Sequence, residues 1–224
     1  MERMAPQFVD RRDAGRRLAE RLADLAGGHA AGIVVLGLPR GGVPVAAEVA
    51  AALHAPLDVL IVGKVGVPGH EELALAAVAA DGHIAANPSV IAAAGLTAGE
   101  VADLADQQVR ALARRASDLR GGRAAEALAG RTVVIVDDGM ATGATMRVAV
   151  EVAHGAAPRA IVAAVPVAAA EAAAALAQDV DRFECLLTPP GFRAVGPWYA
   201  DFTQVSDAEV RALLGSTVHG TDDA

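Results

Sequence analysis

The chain has 224 residues, 54% of them hydrophobic, and a formal net charge of −8. That length suits one domain with a core of its own, the apolar share excludes a disordered chain, and the acidic balance argues against non-specific nucleic-acid binding. Cys185 is the only cysteine, which excludes an internal disulfide, suits a reducing compartment and reads most plainly as a small buried hydrophobe.

The opening MERMAPQFVDRRDAG is charged from the start and lacks the apolar stretch of a secretory signal. No apolar run reaches membrane-spanning length, so a soluble cytoplasmic protein is expected. Residues 11–28 place Leu18, Leu22 and Leu25 on one helical face with arginines opposite, then stop at Gly-Gly. GIVVLGL (32–38) is a buried strand, VPVAAEVAAALH (43–54) a helix, and LDVLIVGK (57–64) a second buried strand. Residues 72–87 are ambiguous: ADGH signals a hairpin turn between two strand-like arms, but the alanines permit helix.

A long helix follows over 96–122, opened by a Thr97–Glu100 capping box and closed by Gly121-Gly122. Then come strand 131–138, helix 145–155, strand 159–167, helix 168–179 and strand 182–189. The stretch PPGFRAVGPWYADF (189–202) gathers the late aromatics in a chain with only 3% aromatic residues. A last helix, 206–215, carries a second capping box at Ser206 and Glu209. No linker divides the chain and no internal repeat shows. Buried strands alternating with helices predict an α/β fold, a central mostly parallel sheet flanked by helices on both faces. Ligands of such sheets bind beyond the carboxyl ends of the strands, so the loops after 32–38, 57–64, 131–138 and 182–189 are the places to look.

The most informative loop is VVIVDDGMATGATM, residues 133–146. A small-residue turn at a helix start is an anion site, because unpaired amides and the helix dipole both face outward. Gly139 and Gly143 let the backbone approach a phosphate, and Thr142 and Thr145 add hydroxyls. No Gly-Lys-Ser/Thr follows, so this is not a nucleoside-triphosphate loop. The paired acids Asp137 and Asp138 call for hydrogen-bond donors, which the 2- and 3-hydroxyls of a ribose supply. A helix cap plus one surface acid is the plainer alternative. Lys64 is the only lysine among 19 basic residues, which makes it a candidate for a specific role.

VVIVDDGMATGAT resembles the phosphoribosyl-diphosphate (PRPP) motif of type I phosphoribosyltransferases. With FVDRRDAGRRLA, LGLPRGGVPVA, KVGVPGHEELALAAVA and WYADFTQVSDAEV, the chain is most similar to stand-alone bacterial phosphoribosyltransferase-like proteins of unassigned substrate. The resemblance implies that fold over 1–224, with a core of about 11–182, a small hood of about 183–205 and the C-terminal helix. Asp137 and Asp138 would hold the ribose. Gly139, Met140, Ala141, Thr142, Gly143, Ala144 and Thr145 would hold the 5-phosphate. LGLPRGG resembles the family's diphosphate loop, so Pro39, Arg40, Gly41 and Gly42, with Lys64, would bind the diphosphate, and Pro39–Arg40 is the expected place of a non-proline cis peptide. Asp137, Asp138, Arg40 and Lys64 form the expected catalytic set.

The family's hood supplies an aromatic and main-chain groups to the acceptor base. Here Phe192, Trp198, Tyr199 and Asp201 are the expected acceptor contacts, although Trp198 and Tyr199 could equally be packing of the hood itself. The spacing of Phe192, Val195-Gly196 and Asp201 resembles purine-salvage members, offset by one residue. Residues 64–81 correspond to the mobile loop, in which His70, Glu71 and Glu72 would reach the site only on closure. The implied reaction displaces diphosphate at ribose C1 by a ring nitrogen. Mg²⁺ would be bound mainly through substrate oxygens and waters rather than by a protein metal site. The implied partners are PRPP and a small-molecule acceptor, without nucleic acid or membrane, and homodimers are common in the family.

Three departures stand out. Gly63 replaces a basic residue usual in the subgroup, no lysine stands in the hood strand, and Ala141 replaces the acid that some purine members carry. A PRPP- or nucleotide-sensing module without catalysis is the main alternative, followed by phosphosugar hydrolysis or phosphorolysis.

Overall fold

The computed structural model describes residues 7–27 and 32–216. The first residues of the charged opening, Gly28 of the first helix stop and the two ends of the expected 1–224 domain lie outside them. Among the described residues the first element is α1 (Arg11–Arg21), capped by Asp10, whose carboxylate accepts from the Asp13 amide at 2.7 Å. A 3₁₀ turn, Ala23–Gly27, ends that segment. Then follow β1 (Ile33–Gly37), α2 (Gly42–Leu53) and β2 (Leu57–Val59). Next come β3 (Val62–Val67), β4 (His70–Ala79), β5 (Ile84–Ala86), α3 (Pro88–Ala94) and α4 (Ala98–Arg120). The second half runs β6 (Thr132–Val136), α5 (Ala144–Gly155), β7 (Ala160–Val167), α6 (Ala170–Leu176), β8 (Arg182–Leu187) and α7 (Asp207–Ser216).

Five strands form one sheet in the order β2-β1-β6-β7-β8, all parallel. Every residue of β1 and β6 is buried. Alternation along these strands sends their side chains to opposite faces. Ile33, Val35 and Val134 join Leu18, Val49, Leu119 and Leu213 of α1, α2, α4 and α7 on one face. Val34, Leu36, Val133 and Ile135 join Met146, Val150 and Leu176 of α5 and α6 on the other. The hydrocarbon strands are therefore what a doubly covered parallel sheet requires, and each fully buried Leu, Ile or Val contributes about 1.5–3 kcal/mol. No helix among the described residues is long and apolar enough to cross a membrane.

The strand expected over 57–64 divides. Leu60 donates to the Gly37 carbonyl at 3.2 Å as the last link to the parallel sheet, and the Ala80 amide then donates to Ile61 at 3.0 Å. From Val62 the chain belongs to a separate antiparallel sheet, β3-β4-β5. Residues 72–87 resolve as a hairpin, with Gly82 at φ +94° in the turn and the Ala79 amide donating to His83 at 2.9 Å. The helix α3 went unread although its signal is local: Asn87 caps it and Pro88 opens it. The capping box at Thr97 and Glu100 forms with both reciprocal bonds, whereas at Ser206 the Glu209 amide-to-Oγ bond forms at 3.1 Å.

All five parallel strands end on the same side. The loops after β1, β6 and β8 therefore converge, and the 38–42 loop, the 137–143 loop and the hood share one end of the sheet.

Candidate active site

The first two of these loops interlock. The Leu38 amide donates to the Val136 carbonyl at 2.9 Å, which pins the chain leaving β1 to the end of β6. The Pro39–Arg40 peptide is cis. The two following glycines lie flat against the acids. A Cβ on Gly41 would overlap the Asp138 carboxylate, and one on Gly42 would stand 2.5 Å from the Val136 carbonyl oxygen and 2.8 Å from Asp137 Cα. Only glycine allows this approach, so the Gly-Gly pair is explained by packing against Asp137-Asp138. Arg40, partly exposed, makes a loose surface ion pair with Asp207 at 3.7 Å, and such a pair is easily exchanged for a ligand.

The adjacent acids are held apart by different partners. Asp137 Oδ1 accepts from the Asp138 amide at 2.9 Å. Asp138 Oδ2 accepts from Arg11 Nε at 2.8 Å, in a pair whose side chains are only 10% and 14% exposed. Burial raises the Asp137 pKa well above the ordinary aspartate value, and the charge of Asp138 raises it further. Burial also raises Asp138, with Arg11 offsetting part of the effect. The Tyr199 hydroxyl donates to the Asp138 carbonyl at 2.5 Å, and burial drives the Tyr199 pKa strongly upward. Arg11, Tyr199 and Gly41 thus fix Asp138 from three sides.

The turn that follows divides into an inward and an outward half. Met140, expected among the phosphate-binding residues, is turned inward: its side chain is in the core and its amide donates to Val167 at 2.8 Å. Gly139 lies under the hood, where a Cβ would come within 2.5 Å of Val195 Cγ1. Ala141, Thr142, Ala144 and Thr145 are exposed at the start of α5, and Gly143 takes φ +73° as its N-cap. The Ala144 amide donates to Thr142 Oγ1 at 3.3 Å. Among the described residues, the amides of Ala141, Thr142, Gly143 and Thr145 have no hydrogen-bond partner. Free amides at the positive end of a helix leave unsatisfied donors facing outward, the arrangement that binding an anion requires.

The hood corrects the expectation for its two most conspicuous aromatics. Trp198 and Tyr199 are buried, in a cluster with Phe8, Ala14 and Val167. Tyr199 lies between Phe8 at 5.3 Å and Phe202 at 5.1 Å, and Trp198 stacks on Phe192 at 6.4 Å. Their rings are committed to the hood core, because a domain edge with so few large residues needs them for packing. Phe192 is partly exposed and keeps surface for a ligand. Asp201 is exposed and accepts from Thr203 through both its amide and its hydroxyl, which lowers its pKa.

Lys64 is also placed differently from expectation. It stands in the middle of β3, paired with Ala77, rather than in a loop at the end of β2. It lines a groove of about 320 Å³ with Ala74, Ala85, Val148 and Glu151, and no residue of the 36–42 or 137–145 loops borders that groove. A Cβ on Gly63 would meet the end of the flexible Gln108 side chain, at 2.9 Å, so packing does not by itself require glycine there. His70, Glu71 and Glu72 are exposed beside the turn that joins β3 to β4. Among the described residues, no group of three or more His, Cys, Asp or Glu side chains is arranged to hold a metal.

The reading from sequence missed Arg11, counting it among the arginines of the polar helix face. The signal was available. Arg11-Arg12 open a helix at its positive end, where cations are disfavoured, so a second reason for Arg11 was to be sought.

The profile of the family described as the phosphoribosyl transferase domain matches residues 9–189. The chain belongs to the phosphoribosyl transferase family. Two Mycobacterium tuberculosis proteins, named "Putative phosphoribosyl transferase MT0597" and "Putative phosphoribosyl transferase Rv0571c", are each 49% identical over 207 residues, or 92% of this chain. The chain spans about half the length, 46%, of each of these relatives. Among solved structures, TT1426 from Thermus thermophilus is 44% identical and superposes with a TM-score of 0.82, covering 93% of this chain and 97% of that one.

Proposed function

We propose that the chain transfers the 5-phosphoribosyl group of PRPP to a nucleobase-like nitrogen acceptor with release of diphosphate, in the cytoplasm. The observation that carries this reading is the fit of the Arg40-Gly41-Gly42 loop onto Asp137-Asp138, beside the free amides of Ala141, Thr142, Gly143 and Thr145. These three features would meet the three parts of one donor molecule: diphosphate, ribose diol and 5-phosphate.

The reaction asks little covalent chemistry of the protein. Ribose C1 becomes oxocarbenium-like as diphosphate leaves and a ring nitrogen attacks. The protein must fix both ends of the ribose phosphate, neutralise the departing group and exclude water. The amides at the start of α5 would hold the 5-phosphate. Asp137 and Asp138 would accept from the ribose hydroxyls and fix the sugar ring. Arg40 would exchange Asp207 for diphosphate oxygens, using its planar fork of donors. Mg²⁺ would supply further charge neutralisation on the diphosphate. The donor set fits an ion carried by diphosphate and ribose oxygens, because one acid of the pair is already engaged by Arg11. With Trp198 and Tyr199 enclosed, the acceptor face of the hood consists of Phe192 and the neighbouring main chain. Ala141 offers no base for the acceptor proton, which suits an acceptor already anionic or one that loses its proton to water.

The test is diphosphate release from PRPP and Mg²⁺ across a panel of nucleobases, with Asp137→Ala plus Asp138→Ala as the control. Release with at least one base, abolished in a double variant that still folds, is expected. Tight PRPP binding without release for any base would identify a sensor instead. Unchanged turnover in the double variant would refute the assignment of the acids.

A further inference from the structure

Among the described residues, Arg11 is the one cation buried against the candidate site, and it lies on an element remote from the donor motif. Its guanidinium makes two directed bonds: Nε donates to Asp138 Oδ2 at 2.8 Å, and Nη1 donates to the Thr203 carbonyl of the hood at 2.8 Å. Its plane is fixed by aromatic rings, with Cζ 3.9 Å from the Phe202 centroid and 5.9 Å from that of Tyr199. The backbone around it is tied to the same hood. The Phe8 amide donates to Trp198 at 3.0 Å, and the Ala200 and Asp201 amides donate back to Phe8 and Val9 at 2.8 Å. Arg12, the next residue, is half-exposed and reaches only Glu48 on α2. The two arginines therefore do different things.

The bonds also decide which oxygens remain. Asp138 Oδ2 is taken by Arg11 and Asp137 Oδ1 by the Asp138 amide. Among the described residues, Asp138 Oδ1 and Asp137 Oδ2 accept no hydrogen bond. One oxygen per acid is left, which matches two hydroxyls of a vicinal diol. A freely rotating Asp138 would not present that pattern.

We propose that Arg11 is a positioning residue: it orients Asp138 so that one free oxygen of each acid faces the ribose diol, and it ties the hood to that acid. The inference rests on the phosphoribosyl reading above. A purely structural arginine is the competing account. That account has a weakness, because a buried ion pair stabilises a fold no better than well-packed hydrocarbon of the same volume.

The experiment measures calorimetric affinity for ribose 5-phosphate, and separately for diphosphate with Mg²⁺, in the full chain. The variants are R11A, R11K, D138N and R11A with D138N. Losing a hydrogen bond to a charged group costs about ten- to a hundredfold in affinity, so R11A is expected to weaken ribose 5-phosphate by about that much and leave diphosphate unchanged. R11K keeps the charge and one bond, and is expected to recover part of the loss. If R11A does not fold, R11K against wild type carries the same test, with a selective loss for ribose 5-phosphate expected. In the double variant, loss of Arg11 should add nothing to D138N, because the two act as one unit. Additive losses, equal losses for both ligands, or an unchanged R11A would overturn the proposal. Failure of the wild type to bind ribose 5-phosphate would instead remove the phosphoribosyl reading, and this inference with it.

Discussion

The paired acids and the lone lysine were singled out on the same grounds, each as an oddity of sequence, and the structure treats them differently. Asp137 and Asp138 sit at the carboxyl end of β6, where parallel strands deliver their loops to one place whatever the detail of the loop. Lys64 sits inside an antiparallel strand, where alternation and register alone choose the face it occupies. The register pairs it with Ala77 and points it to a groove with Val148 and Glu151 of α5. Position after a strand is thus a dependable pointer in a parallel sheet. It carries no such information once the chain has crossed into a separate antiparallel sheet.

Three substitutions probe that contrast. The largest effect is expected for Gly41→Ala. Its Cβ would overlap the Asp138 carboxylate, and relief by backbone movement costs about 1–3 kcal/mol. PRPP affinity measured by calorimetry should fall by about tenfold or more, since about 1.4 kcal/mol is one decade. Unaltered affinity would show that the two loops do not act together.

Asp137→Asn is expected to separate stability from binding. Burial and Asp138 raise the folded-state pKa of Asp137 above its unfolded value. Between those two values the folded state holds more protons, so stability falls as pH rises through the window, and the cost is complete only above the folded-state pKa. The Asn variant should therefore melt higher than wild type at neutral pH and bind PRPP more weakly, by less than the glycine variant does. The melting difference should close as pH drops below the ordinary aspartate range. A lower neutral-pH melting temperature for the variant would contradict the burial argument.

The smallest effect is expected for Lys64→Ala. An exposed residue away from the loops should change PRPP affinity and stability by no more than about 0.5 kcal/mol. A loss as large as that of Gly41→Ala would mean that the lysine reaches the diphosphate after all, and the contrast between the two sheets would fail.

Much of the architecture was legible because its signals are local. Hydrocarbon strands, the Thr97–Glu100 box and the glycine stop at Gly121 each state their conformation within a few residues. The division at Leu60–Ile61 was not legible, because an apolar run does not say which sheet it joins. The candidate site divides in the same way. Asp137-Asp138 and the small residues of 141–145 could be read from one loop, since their chemistry needs contiguity. Met140 turning inward, Trp198 and Tyr199 filling the hood, and Arg11 crossing 127 positions to reach Asp138 could not. Local pattern was enough to set the alternation of strand and helix and the loop that carries the acids. Tertiary packing chose which cation pairs with Asp138, which aromatics are enclosed and which oxygens stay free. Those outcomes depend on long-range packing and on competition for burial, and neither is written in any short stretch of chain.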